Sequence, residues 1–366
     1  MKQVPAADSP GKPTIYDVAE AAGVSIKSVS RVMRNESKVS AETRERVRAA
    51  AQALGYAPHP AARSLASSVP TVIGMLLAAP VDFQAARRGS EYRTCVQMGA
   101  LAAVLPLGFA LRLVPVSLQA SDTADELIGL ARSGAVGGLL IAPPAAENRA
   151  LLDKLVAAGV PISVIGTTKV PEGCAAVTPD ERSAMRQLVN RMIEMGHRRI
   201  GIIRGRPTWH ATEQRLAGCM DALTAAGIAI DDKLVIGDGF DFETNARCAR
   251  QLLSLARPPT AIVAMTDDGA AGVMAAAHGL GLSVPDDLSV TGFDDLDLAR
   301  KLWPPLTTVR HPLERMAEFA TRRLIASLQP RRRDIAPLPM ALEVACELVF
   351  RDSLAPPLAA KSNGKA

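Results

Sequence analysis

Three short apolar periodicities crowded into residues 14–56 leave the amino-terminal part of this chain little freedom. Thr14 precedes the first, and Asp17 follows three positions later, the spacing of a capping box that satisfies a helix's first free amides. Ile15, Val18, Ala19 and Ala22 recur at i, i+3, i+4 and i+7, which places them on one helical face. Gly23 stands where that helix must stop and turn. Ser25 is placed to cap a second helix, whose Val29 and Val32 point inward. Ser40 opens a third, running through Val47 to Leu54 and closed by Gly55. The three small faces make one miniature core, and the first pair of helices reads as a helix-turn-helix. A Pro-bounded fourth helix follows at 60–67.

The outward side of the second helix carries Ile26, Lys27, Ser30, Arg31 and Arg34. In a helix-turn-helix this helix lies in the DNA major groove, with its first residues on base edges. Lys27 and Arg31, four apart, project together, and arginine can pair bidentately with a guanine edge. Ile26 suits apolar contact with a thymine methyl. Thr14, Tyr16, Ser25, Ser30, Arg34 and Ser40 are placed to bind phosphates, which position a domain without reading sequence. The plain alternative is a three-helix bundle with a solvated basic face, and any one residue fits that nearly as well. The charge distribution favours DNA. Residues 1–69 hold ten Lys/Arg against six Asp/Glu, whereas the remaining 297 hold 32 against 31. Nearly all of the formal +5 therefore sits on the proposed reader, as phosphate neutralisation requires. The basic run Arg331–Arg333 reads as merely solvated.

From Thr71 the pattern changes to short apolar runs alternating with amphipathic helices. Strands are expected at Val72–Leu77, Ala110–Val116, Val136–Ile141, Ile162–Ile165, Arg199–Ile203, Ala261–Ala264 and Leu288–Gly292. Helical periodicity falls at Ala124–Ser133, Arg149–Ala158, Ser183–Met195, Gln214–Ala226, Thr244–Leu255 and Gly269–Leu280. This β–α alternation predicts parallel sheets covered by helices on both faces. The length suits two such lobes, with a first boundary near Thr167–Pro179, and 48% apolar residues supply their cores. Ala- and Leu-rich runs such as Met98–Leu111 are broken by Gly and Pro. No run reaches the roughly 18 apolar residues of a membrane span, and the opening MKQVPAADSPGKP lacks the apolar stretch of an export signal. Five scattered cysteines, without metal-ligand spacing, read as free thiols in a reducing compartment.

The words TIYDVAEAAGVS, SVSRVMRN, KVSAETRERV, LGYAPHP and AARSLAS together resemble the DNA-binding headpiece of the lactose-repressor/galactose-repressor (LacI/GalR) family. In the body, GHRRIGIIRG, QRLAGCMDAL, PTAIVAMTDDGAAGVM, VPDDLSVTGFDD and WPPLTTVRHP continue the resemblance. It implies an all-α helix-turn-helix headpiece plus hinge helix, joined to an α/β two-lobed periplasmic-binding-protein-like core. The implied divisions are a disordered tail at 1–13, the headpiece at 14–59, a hinge at 60–70, the core at 71–353 and a second disordered tail at 354–366. By position, Ile26, Lys27 and Arg31 match the base-reading residues. Ala62 and Leu65 match the minor-groove hinge, Leu65 as a wedge between base steps. His59 and Pro60 depart from the family pattern there.

By the same resemblance the chain crosses between lobes three times, and an effector binds in the cleft between them. Asp267 matches the family's effector-binding aspartate, able to accept from vicinal sugar hydroxyls. Arg215 matches an arginine whose fork donates to the effector, and Phe240 falls where an aromatic lines the cleft. The bland readings are a helix-terminal acid, a surface arginine and a core phenylalanine. Asp82, Phe83 and Gln84 stand where the family has an Asn-Pro-Phe turn. The implied protein is a cytoplasmic bacterial transcriptional regulator, a repressor by the family's habit. It would be a homodimer on a pseudo-palindromic operator in double-stranded DNA, answering to a sugar or sugar derivative, without cofactor, metal or membrane. A transport receptor would leave residues 14–69 unexplained. An enzyme would need a catalytic motif that the chain lacks, its five histidines being dispersed and His210 beside Trp209 reading as packing.

Overall fold

Residues 13–33, 39–56, 70–78, 90–330 and 339–358 are described by the computed structural model, in two units that divide between Pro70 and Thr71. Arg34, the hinge residues 60–69 with Ala62 and Leu65, the turn Asp82–Gln84 and the run Arg331–Arg333 lie outside the described residues, as do positions 1–12 and 359–366.

The first unit contains α1 (Ile15–Ala22), α2 (Ile26–Met33) and α3 (Ala41–Ala53). The Asp17 carboxylate accepts from the Thr14 amide at 2.6 Å and from its hydroxyl at 2.8 Å. Those bonds hold the Asp17 carboxyl below its ordinary range. Between α1 and α2, Gly23 adopts φ +63°, where a side chain would strain the backbone, and its amide reaches back to Glu20 O. Ser25 Oγ accepts from the Ser28 amide and Ser40 Oγ from the Thr43 amide, so both serines cap the helices they precede. Val18, Val29 and Val47, one from each helix, are fully buried, ringed by Ala19, Ala22, Val32 and Ala51.

The second unit is a pair of α/β lobes. The strands of the first lobe are β1 (Val72–Ala78), β2 (Ala110–Val116), β3 (Gly138–Ile141), β4 (Ile162–Ile165), β5 (Ala175–Pro179) and β11 (Ala341–Val344). They form one sheet in the order β2-β1-β3-β4-β5-β11, every neighbouring pair parallel. Helices α4 (Ser90–Val104) and α12 (Leu313–Leu328) cover one face, α5 (Thr123–Arg132) and α6 (Arg149–Ala157) the other. The second lobe's sheet runs β7 (Val235–Ile236), β6 (Ile200–Ile203), β8 (Ala261–Ala264), β9 (Ser289–Thr291), also parallel. Within it Ile262 and Ala264 face α9 (Phe242–Leu253) and α10 (Asp267–Gly279), while Ala261 and Val263 face α7 (Glu181–Glu194) and α8 (His210–Ala225). A short α11 (Asp297–Lys301) follows the turn after β9 and buries Ala299. Burial on both faces explains why these strands read as unbroken apolar runs.

The chain passes between lobes after β5, after β10 (Thr308–Arg310), and between β11 and β12 (Glu347–Val349). Strands β10 and β12 form an antiparallel ladder against the α7 side of the second lobe. Asp295, with φ +55° and a nearly inaccessible carboxylate, ties this ladder down by accepting from Arg310 Nε at 2.8 Å and from Arg351. One expectation is corrected. Residues 354–358, expected in a disordered tail, are anchored: Leu354 is buried in the second lobe's core, and the Ala355 carbonyl accepts from Ser289 Oγ at 2.9 Å. Helix α4, for which the sequence offered no expectation, runs unbroken through Gly99, where a Cβ would stand 2.1 Å from Glu314 O and the glycine instead lets α4 and α12 touch.

Val29→Ala removes two methyl groups from a core of only a few side chains. Headpiece stability is expected to fall by about 2 kcal/mol, read as a lower urea midpoint by far-ultraviolet circular dichroism.

Candidate functional site

The headpiece core is complete without the outward side of α2. Ile26 is 41% exposed and Tyr16 66%. Thr14, Ser25, Lys27 and Ser40 are exposed, whereas Ser30 and Arg31 are half-buried. Lys27 and Arg31 lie one turn apart on the side away from Val29. The serine hydroxyls that cap α2 and α3 mark two helix amino termini, which carry partial positive charge and free amides suited to phosphate. Apolar Ile26, cationic Lys27 and the two serine-capped amino termini are therefore all exposed on the headpiece. Arg34, Ala62 and Leu65 fall outside the described residues.

In the second unit, Arg215 and Asp267 come together at the carboxyl ends of β8 and β9. Arg215 projects from α8 into the interior and is 4% exposed. Its Nε and one terminal nitrogen hold Glu181 Oε1 at 2.9 and 2.7 Å, and the other terminal nitrogen donates to the Met265 carbonyl. The guanidinium lies 3.6 Å over the Phe293 ring and 3.9 Å from Asp294. Burial alone would lower the arginine's pKa, but Glu181 and Asp294 outweigh it and raise it. Asp267 opens α10 and is fully buried. One carboxylate oxygen accepts from Thr308 Oγ1 at 2.5 Å, the other from the Leu296 amide at 2.9 Å. Burial, reinforced by the Asp294 charge, pushes the Asp267 carboxyl well above the ordinary carboxylate range. Both side chains expected to contact an effector are thus bonded inside the lobe, holding the turn at 292–296 in place.

Phe240 is half-buried beside them. Its ring packs on Trp209, centroids 5.4 Å apart, and against Gly205, where a Cβ would stand 2.1 Å from the ring. Its carbonyl accepts from Thr266 Oγ1 at 2.7 Å, next to Asp267. Around this group the lobes meet. Glu147 of the first lobe accepts from the His210 amide of the second at 3.2 Å, and Lys169 pairs with Glu213 at 2.7 Å. Glu91, in the first turn of α4, accepts from the Asp297 amide at 2.5 Å. Burial raises the Glu147 carboxyl, partly offset by the His210 amide.

Sequence reasoning missed Glu181, Asp294, His311, Tyr92 and Glu147. His311 Nδ1 contacts Asp294 at 3.2 Å, and its ring lies between Phe293 and Tyr92, with centroids 5.5 and 6.0 Å away. Paired aspartates directly after an apolar strand, as in SVTGFDD, were the available signal. A cavity of about 320 Å³ between α6, α12 and the starts of β4 and β5 includes none of these side chains. Among the described residues no cluster of His, Cys, Asp and Glu is grouped to hold a metal ion, and no helix is long and apolar enough to cross a membrane.

Comparison with known proteins agrees with this geometry. Residues 14–59 match the bacterial regulatory proteins of the lacI family, and 189–354 match a periplasmic binding protein-like domain. The HTH-type transcriptional repressor CytR of Escherichia coli K12 is 31% identical over 343 residues, 93% of this chain and 96% of that protein. The HTH-type transcriptional regulator DegA of Bacillus subtilis is 30% identical over 94% of this chain and 99% of its own length. Among solved structures, the lac repressor dimer bound to operator and the anti-inducer ONPF superimposes with a TM-score of 0.73 at 25% identity, covering 94% of this chain and 99% of that one. The CelR–cellobiose complex gives 0.68 at 29% identity, covering 93% and 99%.

Arg215→Ala leaves Glu181 buried without its partner, and the core is expected to lose roughly 3–5 kcal/mol, seen in the urea midpoint of the second unit. Asp267 sets a pH dependence. With its folded pKa above its unfolded one, the folded state holds the proton longer, so the contribution is full at low pH. It is lost as pH rises from about 4 through the raised folded value. Urea midpoints across pH should therefore show wild type losing ground to Asp267→Asn over that interval.

Proposed function

The chain belongs to the lacI family of bacterial regulatory proteins, and on that premise we propose that it is a sequence-specific DNA-binding transcriptional repressor. It works in the cytoplasm as a homodimer on a pseudo-palindromic operator, released or retained by a sugar or sugar derivative held between its two lobes. The observation that carries this reading is the outward side of α2, where exposed Ile26 and Lys27 and, one turn on, half-buried Arg31 stand outside the buried core of the bundle.

In this reading α2 enters the major groove, Lys27 and Arg31 take base edges, and Ile26 takes an apolar edge. Thr14, Tyr16, Ser25, Ser30, Arg34 and Ser40 hold phosphates, while Ala62 and Leu65 act in the minor groove. Two copies place two such helices on opposite half-sites. The cleft supplies the control. An effector touching both lobes favours one arrangement of them, and linkage obliges DNA and effector to alter each other's affinity by the same factor. Arg215 and Asp267 fix the floor of the second lobe, and Phe240 lines it. A sugar ligand is supported by the relatives, one solved with cellobiose and another with the anti-inducer ONPF. Nothing in this assignment calls for catalysis.

Arg31→Ala tests the carrying observation. Operator affinity should drop by about 1–3 kcal/mol, while affinity for a random duplex changes little at the same salt. Fluorescence anisotropy on both duplexes gives the answer: equal losses would make Arg31 a phosphate contact and remove it from base reading.

A further inference from the structure

The cavity of about 320 Å³ lies at the amino ends of β4 and β5, walled by the last turns of α6 and α12. Its size falls within the roughly 300–1,000 Å³ of small-molecule pockets. It is remote from the join between the lobes. Glu91, Glu147 and Lys169, which reach the second lobe, come after β1, β3 and β4 in the chain, beyond the strands' carboxyl ends. The cavity opens at the opposite end of the same parallel sheet. Its wall is apolar apart from one cation. Val156, Val160, Ile162 and Leu324 form the sides, and Arg323 is the one charged side chain among the described lining residues. Two other polar groups are already committed: Ser327 Oγ donates to the Leu324 carbonyl at 2.7 Å, and the Cys174 thiol faces the Ala175 carbonyl at 3.6 Å. Burial pushes that thiol up to about 11, so it adds no negative charge at neutral pH.

Arg323 is poorly served by its surroundings. Its Nε is sealed from solvent without a hydrogen-bond partner, and a terminal nitrogen donates to the thioether of Met340, a weak acceptor. Arg310 and Arg351, by contrast, each hold a carboxylate. A guanidinium pairs best with a planar carboxylate, which can take two parallel N–H bonds. Met340 is 40% exposed, and its flexible side chain can give way to one. The helix ends at the cavity are the carboxyl termini of α6 and α12, whose partial negative charge favours a singly over a doubly charged anion. We propose that this cavity is a second ligand site, separate from the inter-lobe cleft, and that it takes a small monocarboxylate with an apolar body. The carboxylate pairs with the Arg323 guanidinium in place of Met340, and the body lies against Val156, Ile162 and Leu324. The ligand then bears on α12, the helix that leaves the second crossing at Leu313. This site does not depend on what the cleft binds.

The test is isothermal titration of the full chain with three probes: phenylacetate, its neutral amide phenylacetamide, and acetate, which lacks the apolar body. Phenylacetate is expected to bind saturably, one per chain, with a Kd in the millimolar range or below. The amide and acetate should each bind roughly tenfold more weakly or worse. Arg323→Gln should raise the phenylacetate Kd by a similar factor. Ser327→Phe, at an exposed position on the cavity wall, should remove binding by filling the space. Far-ultraviolet circular dichroism checks that both variants fold. Arg323→Gln leaves no carboxylate of the described residues unpaired, which keeps the test decisive if Ser327→Phe does not fold. No binding of phenylacetate, equal binding of its amide, or a wild-type Kd in either folded variant would overturn the inference.

Discussion

The body of this protein is organised around one buried guanidinium. Arg215 stacks on Phe293 and bonds to Glu181 and the Met265 carbonyl, so it joins the start of α7, the end of β8 and the turn after β9. A charge taken so far from water is tolerable only with opposite charge and hydrogen bonds around it, and here two carboxylates and a carbonyl provide them. The partners come from chain positions far apart. Their convergence fixes how the crossings leave the second lobe, and hence where the first lobe can approach.

Around that hub the structure divides labour between holding and sensing. Asp295, gripped by Arg310 and Arg351, secures the ladder of β10 and β12. Asp267 secures the turn through Thr308 and Leu296. Among the described residues, the polar contacts that pass from lobe to lobe are an amide on Glu147, an amide on Glu91 and the half-exposed Lys169–Glu213 pair, and Leu296 packs against the first lobe's core. Exposed pairs of that kind contribute little.

Much of the fold was legible because its signals are local. The capping pair Thr14–Asp17, Gly23, and the spacings of Val18, Val29 and Val47 each depend on residues within a turn or two of each other. Seven strands were legible as well, because apolar runs such as AIVA are buried on both faces, but the Ala-rich β5 and the largely exposed edge strand β11 were not. Strands β7, β10 and β12 are two or three residues long and carry no pattern. Helices α4 and α12 were not among the expected helices; they approach closely at Gly99. At the site, resemblance marked Arg215, Asp267 and Phe240, and the structure gathers them. Which of their atoms are already occupied depends on Glu181, Asp294, Thr308 and His311, brought in by long-range packing that local spacing does not encode.

The order of strands along the chain has a consequence for biosynthesis. The first lobe takes its edge strand from residues 341–344, and the second takes β12, Leu354 and the Ala355 bonds from residues beyond 346. The first lobe's sheet and the β10–β12 ladder therefore each lack a strand until residues 341–349 have emerged from the ribosome. A nascent chain that has not yet reached residue 341 carries two open edges at once, at β5 and at β10, and is exposed to chaperones and proteases until these late strands arrive.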